Sequence, residues 1–140
     1  MPDKFIWNLQ YSVHSEEIDA QHKRFFELIN AIYDLLEQEI IDPEKFLILV
    51  THLGDYAFYH FATEEGYFQI FGYQDAAGHI KEHDEFRKQA KEFIERVRQE
   101  KGSHHRLAAE VADFAKEWLT KHILIEDQKY MPLFRTHGVS

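Results

Sequence analysis

The 140 residues, 44% of them hydrophobic and 15% aromatic, are enough to build one domain with a substantial apolar core. The absence of cysteine excludes disulfides, thiolate metal sites, iron–sulfur clusters and a cysteine nucleophile. Sixteen basic and twenty-five acidic residues give a formal charge of −9, which disfavours nucleic acid and anionic lipid as partners. With neither a signal peptide nor an apolar stretch of membrane-spanning length, the sequence predicts a cytoplasmic protein.

The chain begins with a predicted extended arm over about residues 1–16. Its apolar side chains are available to pack across the rest of the protein: Phe5, Ile6, Trp7 and Val13. Four stretches follow in which apolar residues recur at three- and four-residue steps, the spacing of an amphipathic helix. The predicted helices cover about 17–38, 43–70, 75–100 and 103–125.

Local signals mark the ends of the second helix. Asp42 and Pro43 form an N-terminal signature, and Gly72 is a stop. No strand-like alternation of useful length is present, so the predicted fold class is all-α. Because short connections make neighbouring helices antiparallel, the sequence predicts an up-down-up-down four-helix bundle, formed as one domain over residues 1–140.

Ten histidines are the unusual feature of the composition. Side chains of the metal-ligand type interrupt the apolar face of all four predicted helices: His22, His60, Glu64, His79, His83 and His122. Two pairs, His60 with Glu64 and His79 with His83, are four residues apart and therefore project from one face of their helix. Burying such groups without partners costs several kcal/mol, whereas a metal would satisfy them together. The sequence therefore predicts a buried metal site between the helices.

The other five histidines are predicted to be ordinary structural residues, because a lone histidine in or near a core is more often hydrogen-bonded than metal-bound. They are His14, His52, His104, His105 and His137. His52 shares a helix face with Tyr56 and His60, which leaves open a role behind the ligands or in the core.

Four motifs together resemble the hemerythrin family, and specifically its bacterial single-domain members. They are the segments 18–22 (IDAQH), 60–65 (HFATEE), 79–83 (HIKEH) and 118–122 (WLTKH), the last followed by Asp127 and Tyr130. The resemblance extends from Trp7 to about Leu133. Two positions depart from the pattern: Phe68 stands where many bacterial members have methionine, and Gly66 loosens the helix after Glu64.

This resemblance implies a non-haem centre of two iron ions joined by a bridging oxo or hydroxo group. One iron would be bound by His79, His83 and His122, the other by His22 and His60, and both by Glu64 and Asp127. Asp127 enters only through the resemblance, because a five-residue step from His122 turns about 140° in an ideal helix. Either the helix end distorts, as at a π-bulge, or the carboxylate reaches round. Zinc or manganese would also suit donors of these types.

The implied function is reversible dioxygen binding for storage, transport or delivery. We expect a monomer that is not an enzyme. A protein that accepts dioxygen from it is a possible partner. Two octahedral irons offer about twelve coordination positions. Five are filled by the histidines, four by the two bridging carboxylates and two by the oxygen bridge. The one vacancy that is left lies on the iron of His22 and His60. The alternatives are a di-iron peroxidase, a nitric-oxide-handling enzyme, and a sensor of oxygen or iron. Candidates for an apolar wall are Phe61, Trp118, Leu119 and Ile125, and candidates for hydrogen bonding are Tyr56 and Tyr130. Ordinary core packing is an equally good interpretation of all six.

Overall fold

The computed structural model describes residues 6–139, so Phe5 of the predicted arm lies outside the described residues. The helices are α1 (Glu16–Leu35), α2 (Pro43–Phe71), α3 (Ala76–Gln99), α4 (His105–Lys121) and α5 (Gln128–Thr136). A π-helix, His122–Asp127, joins α4 to α5 without a break. Helix α1 packs against α2 and α4, and α3 packs against the same two helices. The predicted all-α class and four-helix bundle are confirmed.

Hydrogen-bonding side chains fix where α1 and α2 begin. Ser15 Oγ accepts the backbone N–H of Ile18 at 3.2 Å, which satisfies a free donor of the first turn of α1. Asp42 Oδ1 accepts the N–H of Glu44 at 3.0 Å, directly before the first-turn proline of α2. Helix α2 ends at Gly72, whose φ of 68° lies in the left-handed region that glycine adopts without strain.

The end of the fourth helix differs most from its predicted range of about 103–125. The chain stays helical through the π-helix and α5, and Pro132 lies inside α5. A proline there removes one backbone hydrogen bond, a local signal against a helix. Burial outweighs that loss, because the rings of Tyr130 and Phe134 stack at 4.2 Å and are both buried. Tertiary packing therefore extends the helix beyond the point that the sequence pattern predicts.

The apolar core is divided into two clusters along the bundle. The larger one contains residues from all four long helices, such as Ile29, Phe46, Phe86 and Val111. The smaller one consists of Val13, Ile18, Phe68, Tyr130 and Phe134. On α1, His22 falls between Ile18 of the smaller cluster and Phe25 of the larger one, and on α2, Glu64 falls between Phe61 of the larger cluster and Phe68 of the smaller one. The candidate site is therefore sealed by apolar packing on both sides.

The arm is only partly what the sequence predicts. A 3₁₀ turn, Leu9–Tyr11, interrupts it. Trp7 packs on Phe26 with ring centroids 5.5 Å apart and Val13 is buried, but Ile6 is exposed. Among residues 6–139, the helices are too short or too polar to cross a lipid bilayer.

Core packing should dominate stability. Phe46→Ala removes a fully buried ring and is expected to lower the free energy of unfolding by about 3–5 kcal/mol. Ile48→Ala on the same helix is the control, because Ile48 is 51% exposed and its loss should change stability by about 0.5 kcal/mol or less. Urea unfolding followed by circular dichroism measures both, and similar losses for the two variants would contradict this description of the core.

Candidate metal centre

The structure brings all seven predicted ligands to one buried place. Helix α1 contributes His22, α2 contributes His60 and Glu64, α3 contributes His79 and His83, and the two ends of the π-helix contribute His122 and Asp127. None of these residues is more than 1% exposed. Residues distant in sequence therefore meet where the four helical segments of the bundle face one another.

Distance divides these residues into two overlapping groups. The three-histidine group has donor atoms within 4.8 Å of one another and consists of Glu64, His79, His83, His122 and Asp127. The two-histidine group, by the same distance, consists of His22, His60, Glu64 and Asp127. The two carboxylates belong to both groups. This is the arrangement expected for two neighbouring cations with shared carboxylates.

Asp127 directs its two oxygens toward different groups. Oδ1 lies 3.0 Å from His79 Nε2 and 3.1 Å from His122 Nε2. Oδ2 lies 3.1 Å from Nε2 of His22. One carboxylate thereby faces both halves of the site, which is how a bridging carboxylate is oriented.

Glu64 faces both groups through a single oxygen. Its Oε1 lies 3.2 Å from His83 Nε2 and 3.4 Å from His60 Nε2. Its Oε2 accepts a short hydrogen bond from the hydroxyl of the fully buried Tyr130. Tyr130, a predicted hydrogen-bonding residue, thus holds one oxygen of Glu64 and leaves the other for the centre of the site.

The donor atoms fit a cation in number and spacing. In the described residues, nine buried side-chain nitrogens and oxygens lack a hydrogen-bond partner, and all but His104 Nε2 belong to this site. The gaps between donors are near 3 Å, the separation of neighbouring ligands in an octahedron with bonds of about 2.1 Å. Imidazole and carboxylate donors together suit first-row transition metals. A chain that buries so many unsatisfied atoms at this spacing is built to bind metal.

Two imidazole nitrogens face each other directly. Nε2 of His83 lies 3.1 Å from Nε2 of His122. On both rings Nδ1 has a carboxylate acceptor, so in the neutral form each Nε2 presents a lone pair to the other. Such a contact is repulsive unless a proton or a metal cation lies between the two nitrogens.

The pKa shifts of the metal-free site also show that its surroundings favour positive charge between the carboxylates. Burial acts to raise the pKa of Asp127, but the charge of His122 and the close imidazoles of His22 and His79 hold it well below its usual value. Burial acts to lower the pKa of His79, yet the nearby carboxylates of Asp127 and Glu64 raise it to about 9. The carboxylates of Asp127 and Glu64 therefore stay ionised. In the metal-free protein they favour protonation of the neighbouring histidines, at the place where metal cations would bind.

Three ligand rings are oriented by residues that the sequence reasoning did not identify. Nδ1–H of His60 donates to Gln21 Oε1 at 2.6 Å, that of His83 to Glu65 Oε2 at 2.8 Å, and that of His122 to Glu82 Oε1 at 3.3 Å. Each bond turns Nε2 toward the centre and fixes the tautomer. The only signal in the sequence was that these acceptors each sit beside a predicted ligand in the quoted motifs.

Aromatic rings pack against the three-histidine group. Phe61 stacks on His83 with centroids 4.0 Å apart, and Trp118 stacks on His122 at 4.4 Å. Phe68, which departs from the family pattern, packs edge-on against His79 at 4.8 Å. These contacts hold the imidazoles in place while excluding water.

One of the side-chain predictions around the site was wrong. Ile125 is 56% exposed instead of lining the wall, and Ile123 is buried in its stead. The reason is the π-helix, which changes the face that each residue occupies. Tyr56 packs edge-on against Phe25, with ring centroids 5.3 Å apart, which agrees with the core-packing alternative.

The five remaining histidines belong to neither group of donors. His14 and His52 are exposed. His105 donates from Nε2 to the carbonyl of Gln38, and His137 stacks on Phe71. His104 is buried edge-on against Phe46. Their positions agree with the structural roles predicted from the sequence.

Comparison with known proteins identifies the family. The family described as "Hemerythrin HHE cation binding domain" matches residues 13–134. The bacteriohemerythrin of Clostridium acetobutylicum is 31% identical over 129 residues, which is 91% of this chain and 98% of that protein. The chain belongs to the hemerythrin family.

Other relatives extend over similar lengths. The bacteriohemerythrin of Pseudomonas paraeruginosa is 31% identical over 96% of this chain and 84% of its own, and a hemerythrin-like protein of Naegleria gruberi is 30% identical over 93% of each. A crystal structure of wild-type hemerythrin superposes with a TM-score of 0.83 at 24% identity, covering 94% of this chain and 98% of that one. That structural likeness establishes the hemerythrin fold.

The π-helix explains how this hemerythrin-family chain places Asp127. Hydrogen bonds between residues five apart bring such residues one above the other, so His122 and Asp127 share a face. Of the two alternatives that the sequence left open, the distorted helix is the one observed. The π-helix therefore brings Asp127 to the same face as His122, where the other candidate donors converge.

Insertion of one alanine after Ile125 tests that interpretation. With one residue more, Asp127 would follow His122 by six residues and turn by about 100° away from the site. We expect the metal content after reconstitution, measured by elemental analysis, to fall below that of the parent protein. Ile125→Ala keeps the register and should load fully. Full loading of the insertion variant, with helix content unchanged by circular dichroism, would disprove the role of the π-helix.

The tie between Tyr130 and Glu64 gives a second expectation. Tyr130→Phe keeps the buried ring but leaves Glu64 Oε2 without its donor, which should destabilise the metal-free protein by about 1–3 kcal/mol. Tyr59→Phe, at an exposed position of α2, should leave stability nearly unchanged. Chemical unfolding of both variants measures the difference. Equal stability would show that the hydrogen bond contributes nothing.

Proposed function

We propose that this protein binds dioxygen reversibly at a non-haem di-iron centre bridged by an oxo or hydroxo group. His79, His83 and His122 would hold one iron, His22 and His60 the other, and Glu64 and Asp127 both. The observation that carries the proposal is the convergence of these seven buried side chains with eight unpartnered donor atoms. The printed names of the relatives, hemerythrin and bacteriohemerythrin, support it.

The ligand set favours binding over catalytic turnover. Two ferrous ions held by these seven residues would supply the two-electron chemistry that reversible dioxygen binding requires. Di-iron sites of ferritin-like proteins are rich in carboxylates, with four glutamates in all. Here only Glu64 and Asp127 are anionic and five ligands are neutral imidazoles, so the protein contributes less negative charge to stabilise highly oxidised metal. That difference supports a carrier.

The surrounding side chains exclude water from the site. Phe61, Leu119 and Ile123 are fully buried beside the ligands, and Trp118 covers His122. Tyr130 keeps its proton, because burial and the charges of Asp127 and Glu64 raise its pKa well above the usual value. It can therefore donate to Glu64 at any physiological pH. A dry pocket with fixed donors slows proton entry and so favours release of unchanged dioxygen.

The wider setting is proposed on the same basis. We predict that the protein is a cytoplasmic monomer, that it folds as one domain over residues 1–140, and that it passes dioxygen to a protein acceptor. It is the family resemblance, together with the ligand set, that supports a carrier over a peroxidase, a nitric-oxide-handling enzyme or a sensor.

Anaerobic reconstitution with ferrous iron tests the proposal. We expect two irons per chain and a charge-transfer band that appears in air and disappears on degassing, over repeated cycles. His60→Gln should reduce iron content and abolish the reversible band. His52→Gln, the same substitution at an exposed position of α2, should leave both unchanged. Absence of iron binding would reject the centre, and a band lost through rapid catalytic turnover of peroxide or nitric oxide would favour the enzyme alternative.

A further inference from the structure

The hydrogen bonds that orient the histidine rings differ between the two halves of the site. Behind the three-histidine group, carboxylates accept the Nδ1–H bonds of two rings: Glu65 for His83 and Glu82 for His122. Behind the two-histidine group, the acceptor of His60 is the neutral amide of Gln21, and Nδ1 of His22 has no partner among the described residues. The polar groups outside the ligands thus distinguish the two cation positions.

This difference acts on metal affinity. An ionised carboxylate that accepts the Nδ1–H of an imidazole raises the donor strength of Nε2 and fixes the orientation of the ring. A neutral amide fixes the ring but adds no charge. A ring without any partner gains neither effect. On this basis His83 and His122 are stronger ligands than His60. His22 and His79, whose Nδ1 atoms have no partner among the described residues, are the weakest.

The three-histidine group is also better ordered before metal arrives. Arg87 holds Glu65 with two hydrogen bonds of 2.8 and 3.0 Å, and Glu65 in turn holds His83. Flat stacking on Phe61 and Trp118 restricts the rings of His83 and His122. Ligands that are already in place lose less conformational freedom on binding.

The number of ligands points the same way. Each half uses Glu64 and Asp127, but one half adds three imidazoles and the other adds two. A metal at the first position therefore exchanges more of its water shell for protein donors. Within residues 6–139, neither Arg87 nor Glu82 has a counterpart behind His22, which lies edge-on to His60 with ring centroids 4.7 Å apart.

We infer that the two positions fill in a fixed order, with the first metal bound by the three-histidine group and the second, more weakly, by His22 and His60. The chain then has a stable one-metal form. The inference rests on the proposed function only for the identity of the ligands. It places the labile metal at the position where the sequence reasoning puts the open coordination site.

Titration of the metal-free protein with Mn²⁺, followed by electron paramagnetic resonance, tests the order. The first equivalent should give the hyperfine pattern of an isolated ion, and the second should convert it to the spectrum of an exchange-coupled pair. His22→Gln should leave the first equivalent bound. His83→Gln should weaken it. A coupled-pair spectrum from the first addition, or loss of the first equivalent in His22→Gln alone, would overturn the inference.

Two substitutions behind the ligands separate this role from a purely structural one. Glu82→Gln should weaken the first equivalent by about 10- to 100-fold, whereas Gln21→Glu should strengthen the second. Glu85→Gln, at an exposed position of the same helix as Glu82, should change neither. General damage to the fold cannot raise affinity, so unchanged or weaker binding of the second metal in Gln21→Glu would count against the inference.

The proposed function and this inference can fail separately. Ordered binding of two Mn²⁺ ions by a protein whose ferrous form never takes up dioxygen would refute the function and keep the order. Reversible dioxygen uptake by a protein that binds its metals only as a pair would do the opposite.

Discussion

Two fully buried carboxylates, Glu64 and Asp127, impose the constraint on which the rest of the structure depends. An ionised carboxylate away from water costs several kcal/mol unless positive charge and hydrogen-bond donors surround it. The bundle supplies five imidazoles and the hydroxyl of Tyr130. Because each helical segment contributes at least one of these groups, all four must dock correctly before the charges are compensated. The polar centre therefore specifies how the helices pair.

The same constraint separates the core into two apolar clusters. Polar residues occupy the inward face for about one turn of each helix, between Phe25 and Ile18 on α1 and between Phe61 and Phe68 on α2. Apolar packing on both sides keeps water away from the donors and makes unpaired charges there costly. Stability is then coupled to occupancy, because a cation that binds only the folded chain adds its binding energy to folding.

Helical periodicity was sufficient to find six of the seven converging residues, since His22, His60, Glu64, His79, His83 and His122 all lie in regular α-helix or at its end. It failed at Asp127 and Ile125, where the repeat itself changes. The π-helix forms because buried side chains beyond it, Tyr130 and Phe134, must also face inward, and no local signal reports that demand. Gln21, Glu65 and Glu82 were missed because their bonds, which cross between helices, depend on packing distances that a sequence pattern does not contain.

The π-helix also changes what each bridging carboxylate can do. Glu64 projects from a regular helix and is tied by Tyr130, so one oxygen alone serves both groups. Asp127 projects from the wider turn and gives one oxygen to each. Tyr130 follows Asp127 by three residues, so the distortion that places Asp127 also places the donor to Glu64. A single irregular turn thereby sets the position of both carboxylates, and this links the shape of the helix end to the spacing of the two cation positions.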